Sequence, residues 1–349
     1  MSVLAAAAAS TLLFGCAGGS AGTDSDVSLT VVTWGGTTEE GIAQSVAEPF
    51  TDRTGIPVQL VNPVDYGQYA AQIQQDQVTW DIVDTEGWFN EQNPDWWAPI
   101  DRDIVQYDDA DVIPIPGMEL EDRNLEYRVP TSSYSFTIAY RTDHDGPHPT
   151  TWEEFFDTEA IPGARAVYNW PYGMLEVALL GDGVPFEELY PLDVDRAFEK
   201  LDSVRDDLVF WNSGAELQQM MTTGEAPFAY AWNNRITVLE KDGVPVTNEW
   251  NENLQDAGGR VVPHNAPHLN ESMEFLGVYM EPEPNAQMAQ TTGYSPGLQS
   301  AFDLIPDEEK PYYNVYPENL EQAVGAIDHE WWGENYDEVT QRWQEWAGQ

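Results

Sequence analysis

Between Leu29 and Asp84 short apolar runs alternate with amphipathic stretches, and this alternation narrows the possible folds more than any other feature of the chain. Leu29–Thr33, Ile56–Val61 and Trp80–Asp84 read as strands. Thr37, with Glu40 at capping-box spacing and Ile42, Val46 and Phe50 on one face, opens a helix that Gly55 ends. Tyr66–Gln77, carrying Tyr69, Ala70 and Ile73, predicts a second. Strand, helix, strand, helix, strand in this order implies a mainly parallel sheet covered by helices, the α/β class.

The pattern resumes downstream. Ser135–Tyr140 reads as a strand crossing into a second lobe, and Val261–Pro267 as the return crossing. Between them, Thr151 with Glu154, Asp193, and Ser213 with Glu216 mark helix starts, and Gly224 marks a helix end. Ala164–Tyr168 and Phe228–Ala231 are strands, and Leu175–Leu180 is helical. The final helix gathers Tyr336, Val339, Trp343 and Trp346 on one face, and Trp96 and Trp97 read as packing residues. A chain of 349 residues accommodates two such units. The division expected is residues 1–26 as a leader, 27–134 plus 262–300 as lobe I, and 135–261 plus 301–349 as lobe II.

Four of the strand-like runs hand an indole to the loop that follows. Leu29–Thr33 leads to Trp34, Asp81–Asp84 to Trp88, Arg165–Asn169 to Trp170 and Phe228–Ala231 to Trp232. Open α/β sheets bind ligands outside the carboxyl ends of their strands. One indole there is as readily a core residue; four at comparable positions predict a shared aromatic pocket.

Acidity is the other extreme feature. Against 61 Asp and Glu stand 14 Lys and Arg, a formal charge of −47, which makes nucleic acid phosphates and anionic membrane surfaces unsuitable partners. The acids are spread along the chain, and lysine is confined to Lys200, Lys241 and Lys310. Near 1 M salt the Debye length is about 3 Å, so such repulsion is screened. The composition therefore predicts a halophilic protein that loosens on desalting.

Cys16 is the sole cysteine, which excludes an internal disulfide and a cysteine-built zinc site. It follows an alanine-rich apolar run, Val3–Phe14, too short to span a membrane, and precedes a small, polar stretch to Asp26. The arrangement resembles a bacterial lipoprotein signal in which Leu13-Phe14-Gly15-Cys16 is the lipobox and Cys16 the lipidated residue, although no Lys or Arg precedes Arg53. A plain cleaved leader is the alternative.

Trp34-Gly35-Gly36, Glu48-Pro49-Phe50 with Thr54-Gly55-Ile56, Trp80-Asp81-Ile82-Val83, Tyr190–Ala197, Ala231-Trp232-Asn233 and Thr292-Gly293-Tyr294 are a set of motifs spread over the chain. Together they resemble the extracellular solute-binding proteins of ABC importers, in the spermidine/putrescine-binding branch. The resemblance implies a periplasmic-binding-protein fold: two Rossmann-like lobes, a hinge, and a ligand cleft between them. It implies a small-molecule ligand, a membrane permease as partner, no cofactor, and a monomer anchored to the outer face of the membrane only by lipid.

By the same resemblance the pocket aromatics fall on Trp34, Trp88, Trp232 and Tyr294, with a further contact at the helix start around Trp331 and Trp332. The acidic pair that grips polyamines in this branch falls on Trp170 and Gly173, and a further aspartate falls near Gly258, with Asp256 close by. Glu86 is then the remaining carboxylate for a cationic group. Indole faces attract cations by about 0.5–2 kcal/mol, so the expected ligand is a cationic or zwitterionic amine. Sugars, which also stack on aromatic rings, are the competing class.

Catalysis finds no support in the motifs: nucleophile elbow, P-loop and dinucleotide fingerprint are all missing. His144 with His148 and His264 with His268 have helical spacing, but Pro147 and Pro267 interrupt it, so loop histidines rather than metal ligands are expected.

Overall fold

The computed structural model describes residues 27–348. Among them, ten strands share one sheet: β1 Leu29–Val32, β2 Val58–Val61, β3 Ile82–Thr85, β4 Arg128–Arg141, β5 Arg165–Tyr168, β6 Leu208–Trp211, β7 Phe228–Trp232, β8 Val246–Val261, β9 Ser295–Pro296 and β10 Ala323–Ala326. The order is β2-β1-β3-β8-β4-β7-β5-β6, with β10 on β8 and β9 on β4.

The sheet has two parallel wings. β1 pairs in parallel with β2 and β3, and β5 with β6 and β7. Two long antiparallel strands, β4 and β8, run through both. Val261 and Arg260 of β8 face β3, while Tyr140 and Phe136 of β4 face β7. Their shared register shifts twice, between Val129 and Ser132 and between Phe136 and Ile138. Such irregularities bend strands and increase their twist. The return crossing is thus β8, upstream of the Val261–Pro267 stretch read from the sequence. A strand carrying Asn251, Asn253, Asp256, Gly258 and Gly259 offers little β propensity to read.

Side-chain capping marks several of the helix starts. Ser213, Asp193, Thr151 and Asp328 each accept the backbone N–H three residues on. Thr37 departs from this pattern: Gly36 is the cap residue and makes no side-chain cap bond. The Thr37 hydroxyl is engaged elsewhere, as described below. Asn233 and Asn234, directly after Trp232, open the helix Asn233–Lys241. One apolar core lies around Val31, Phe50, Ile82 and Phe275 in the β1 wing, and a larger one around Trp152, Phe155, Val177 and Phe228 also takes in Val32, Val83 and Trp88 of the β1 wing. Phe302, Ile305, Tyr313 and Val315 pack with Ile113 and Ala289 in a smaller cluster. Trp96 and Trp97 do pack, both against Tyr69. Among the described residues no helix is long and apolar enough to cross a membrane. Cys16 lies outside the described residues.

Candidate functional site

The carboxyl ends of β1, β3, β5 and β7 deliver their indoles into one continuous aromatic network. Trp34 meets Tyr66 edge-on at 6.1 Å, Tyr66 meets Trp88 at 5.2 Å, and Trp88 stacks on Tyr336 at 3.5 Å and 16°. Tyr336 then meets Trp170, which contacts Tyr168, and Tyr168 contacts Trp232 at 4.8 Å. Trp170 also lies against Tyr172, and Tyr172 against Trp332. Tyr294 joins through Tyr134 at 5.9 Å. Trp34, Trp88, Trp170, Trp232, Tyr294 and Trp332 therefore belong to one cluster. Trp88 belongs to the β1 wing and Tyr336 to the C-terminal helix His329–Ala347, so the stack bridges the two sides.

The indoles are unequal. Trp34 and Trp170 are half-buried, whereas Trp88 and Trp332 are enclosed. Trp332 spends its N–H on the Glu176 carboxylate, and Trp170 donates to Tyr336 Oη at 2.9 Å. The indole N–H groups of Trp88 and Trp232 are buried without an acceptor.

Inside this ring lies an acid pair. Glu86, immediately after β3, approaches Tyr134 Oη at 3.0 Å; the same phenol lies 2.9 Å from Asp256 Oδ2. Asp256, on β8, also accepts from Tyr172 Oη at 2.8 Å on the same Oδ2, while its Oδ1 accepts from the Ala257 N–H at 2.7 Å and faces His329 Nε2 at 2.8 Å. Burial alone would raise the Asp256 pKa, but the His329 ring and the bonds from His329, Tyr172 and Tyr134 outweigh it and hold the group below the usual range. Glu86 has the opposite fate: burial, then the charge of Asp256, push it far above an ordinary glutamate. Beneath the pair, Asp84 binds Arg260 at 3.0 Å, yet burial keeps its pKa raised.

Arg235 marks the other end. It sits in the first turn of Asn233–Lys241, 2% exposed, and reaches across to the β1 wing, donating to Thr37 Oγ1 at 2.9 Å and Thr38 Oγ1 at 3.5 Å. Its Nε is buried without an acceptor, and among the described residues it forms no ion pair. Its charge acts on Tyr168 and Tyr294 of the cluster. A buried guanidinium without a carboxylate is costly, more so in a chain with so many carboxylates to offer.

Sequence reasoning reached Glu86 but left out Asp256, Tyr134, Tyr172, Tyr336, His329 and Arg235. Asp256 had surfaced only as a neighbour of Gly258. Arg235, one of only 14 basic residues, was legible as a rare charge beside Trp232. The tyrosines carried no signal, because the chain has 16. Gly173 cannot supply the acid that the polyamine pattern places there. Its φ is 74°, and a Cβ would fall 2.5 Å from Tyr230 Oη and 2.9 Å from the Phe136 ring. A cavity of about 710 Å³ opens beside the cluster, with His329 in its wall together with Glu91, Glu121, Asp122, Glu187 and Glu330. Among the described residues no group of histidine and acidic side chains is arranged to hold a metal ion.

Residues 45–316 match the family described as bacterial extracellular solute-binding protein. The chain is 29% identical over 343 residues to the gamma-aminobutyric acid-binding protein of Pseudomonas aeruginosa, covering 96% of this chain and 95% of that one. It is 22% identical over 200 residues to the spermidine/putrescine-binding periplasmic protein of Escherichia coli, 56% of this chain and 57% of that one. A solved GABA receptor superposes with a TM-score of 0.81 at 34% identity, covering 91% of this chain and 97% of that one. The agropinic acid complex of a binding protein from Agrobacterium tumefaciens R10 superposes with a TM-score of 0.82 at 28% identity, with 93% and 99% covered.

Proposed function

The chain belongs to the bacterial extracellular solute-binding proteins, which capture small molecules outside the cytoplasm for an ABC permease rather than transform them, and from that premise we propose that its cargo is a small zwitterionic or cationic amine. The observation that carries this reading is the buried acid pair Glu86 and Asp256, joined through Tyr134 inside a cage of aromatic rings. Such a pole suits an ammonium group, which gains from the carboxylates and from the indole faces together.

Arg235 favours the zwitterionic form. A ligand carboxylate would give its unpaired guanidinium the charge-assisted bonds it lacks, while the ammonium faces Glu86 and Asp256. The names of the relatives, a GABA-binding protein and a GABA receptor among them, agree with a compact amino acid. The ligand groups we assign are Trp34, Glu86, Trp88, Trp170, Trp232, Tyr294 and Trp332 as expected from the sequence, joined by Asp256 and Arg235. Cys16 is assigned as the lipid attachment point, which would tether the protein to the outer membrane face.

Isothermal calorimetry in molar salt with 4-aminobutyrate, putrescine, glycine betaine and a sugar panel tests the proposal. Saturable heat with an amine and none with sugars is expected. Sugar binding with no response to any amine would replace this reading by the carbohydrate one.

A further inference from the structure

We propose that amine capture here is a proton exchange, in which the Glu86 carboxyl carries a proton in the empty cleft and releases it to solvent when the ammonium arrives. The inference rests on the amine reading above and adds a regulation of the same site.

It stands first on counting hydrogens. Tyr134 Oη is within bonding distance of both Glu86 Oε2 and Asp256 Oδ2, but a phenol has one hydrogen to give. Asp256 is bonded as an ionised acceptor, drawing on Tyr172 and the Ala257 N–H and facing His329. Among the described residues the Glu86 carboxyl has the Tyr134 oxygen as its one hydrogen-bond partner, and no cation pairs with it. With both acids ionised, one carboxylate oxygen would face the phenol oxygen with no proton between them. The chain closes when Glu86 O–H donates to Tyr134 Oη and Tyr134 donates to Asp256.

The surroundings agree. From β3 Asp84 and from β8 Asp256 add negative charge near Glu86, and Arg128 of β4 is the nearby cation. Arg128 spends its Nη2 on the carbonyls of Thr85 and Ala257. From the C-terminal helix, His329 is committed to Asp256, and Tyr336 brings only a phenol. The other groups facing it are also phenols: Tyr66, Tyr168, Tyr172, Tyr230 and Tyr294. Burial raises Glu86 in the same direction.

The step balances without a co-reactant. The neutral carboxyl and an alkylammonium become a carboxylate–ammonium pair plus one proton taken up by the buffer, and the Tyr134 hydroxyl is then free to serve either acid. Affinity therefore rises with pH, by as much as tenfold per unit, until Glu86 ionises in the free protein.

Calorimetry of 4-aminobutyrate and of putrescine, at one pH below neutrality in phosphate and in Tris, reads the proton directly. The binding heats should differ by the difference in buffer ionisation heat, scaled by about one proton released. Glu86→Gln, if it binds, should show no buffer dependence. Saturable binding with equal heats in both buffers, or the same proton release from Glu86→Gln, overturns the exchange while leaving the amine reading intact. The wild-type comparison needs no variant to fold. Failure of every amine in the panel would remove the amine reading, and this inference with it.

Discussion

At the scale of single residues, charge and burial decide what each side chain does. Arg235 is the sharpest case: a guanidinium enclosed between two wings, holding two threonine hydroxyls and no acid. Arg235→Gln should weaken a zwitterion by about 10- to 100-fold, the range for hydrogen bonds to charged groups, and leave putrescine nearly unaffected. Competition calorimetry with both ligands checks the difference. Glu176 yields a stability prediction. Enclosed beside Trp332 and Tyr190, its carboxyl is pushed by burial from 4.5 to about 7. A raised acid holds its proton in the folded state after the unfolded chain has lost it, so its contribution falls as pH rises from about 4.5 through 7. Glu176→Gln should thus be close to wild type near pH 5 and more stable by roughly 2–3 kcal/mol at pH 8, read by urea unfolding in molar salt. Glu176 did not stand out among 61 acidic residues, and Arg235, though a rare charge, showed its role only once its neighbours were known.

Among the elements, the helix Gly87–Gln92 and the C-terminal helix meet at unusually close range. A Cβ at Gly87 would lie 2.0 Å from His329 Nδ1, and one at Gly333 would lie 3.1 Å from Glu91 Cβ. This approach sets His329 on Asp256 and Tyr336 on Trp88, so the C-terminal helix closes one side of the aromatic cage. Gly87→Ala should displace the imidazole and weaken amine binding at least tenfold, with a smaller loss of thermal stability; titration by tryptophan fluorescence measures both the affinity and the altered Trp88 environment. Helices were the most legible elements, since Ser213, Asp193 and Thr151 advertise their starts by spacing. β6 and the helix Asn233–Lys241 went unread: the strand is short and aromatic, and two asparagines in a first turn look like a loop.

Over the whole molecule, a formal charge of −47 is the dominant long-range force. The ion pairs do little to offset it, since pairs such as Arg102–Asp109 and Arg196–Asp182 lie at the surface. Lowering salt from molar to about 0.1 M lengthens the Debye length from about 3 to 10 Å and brings distant carboxylates into mutual repulsion. Far-ultraviolet dichroism should then report a fall in melting temperature on desalting, partly reversed by a bound amine through mass action. An identical melt at both salt levels would separate the acidity from salt adaptation.

Local order along the chain was enough to determine the α/β class, the helix caps at Thr151, Asp193 and Ser213 and the four indoles at strand ends, because hydrophobic period and capping chemistry act over a few residues. Tertiary structure alone decided that Asp256 on a glycine-bearing crossing strand would meet Glu86 through Tyr134, and that Arg235 would cross to Thr37 and Thr38. Tyr134 and Asp256 stand 122 positions apart, and Arg235 and Thr37 stand 198 apart. Charges so distant in sequence acquire their meaning only when the sheet brings them within hydrogen-bond reach and excludes the water that would screen them.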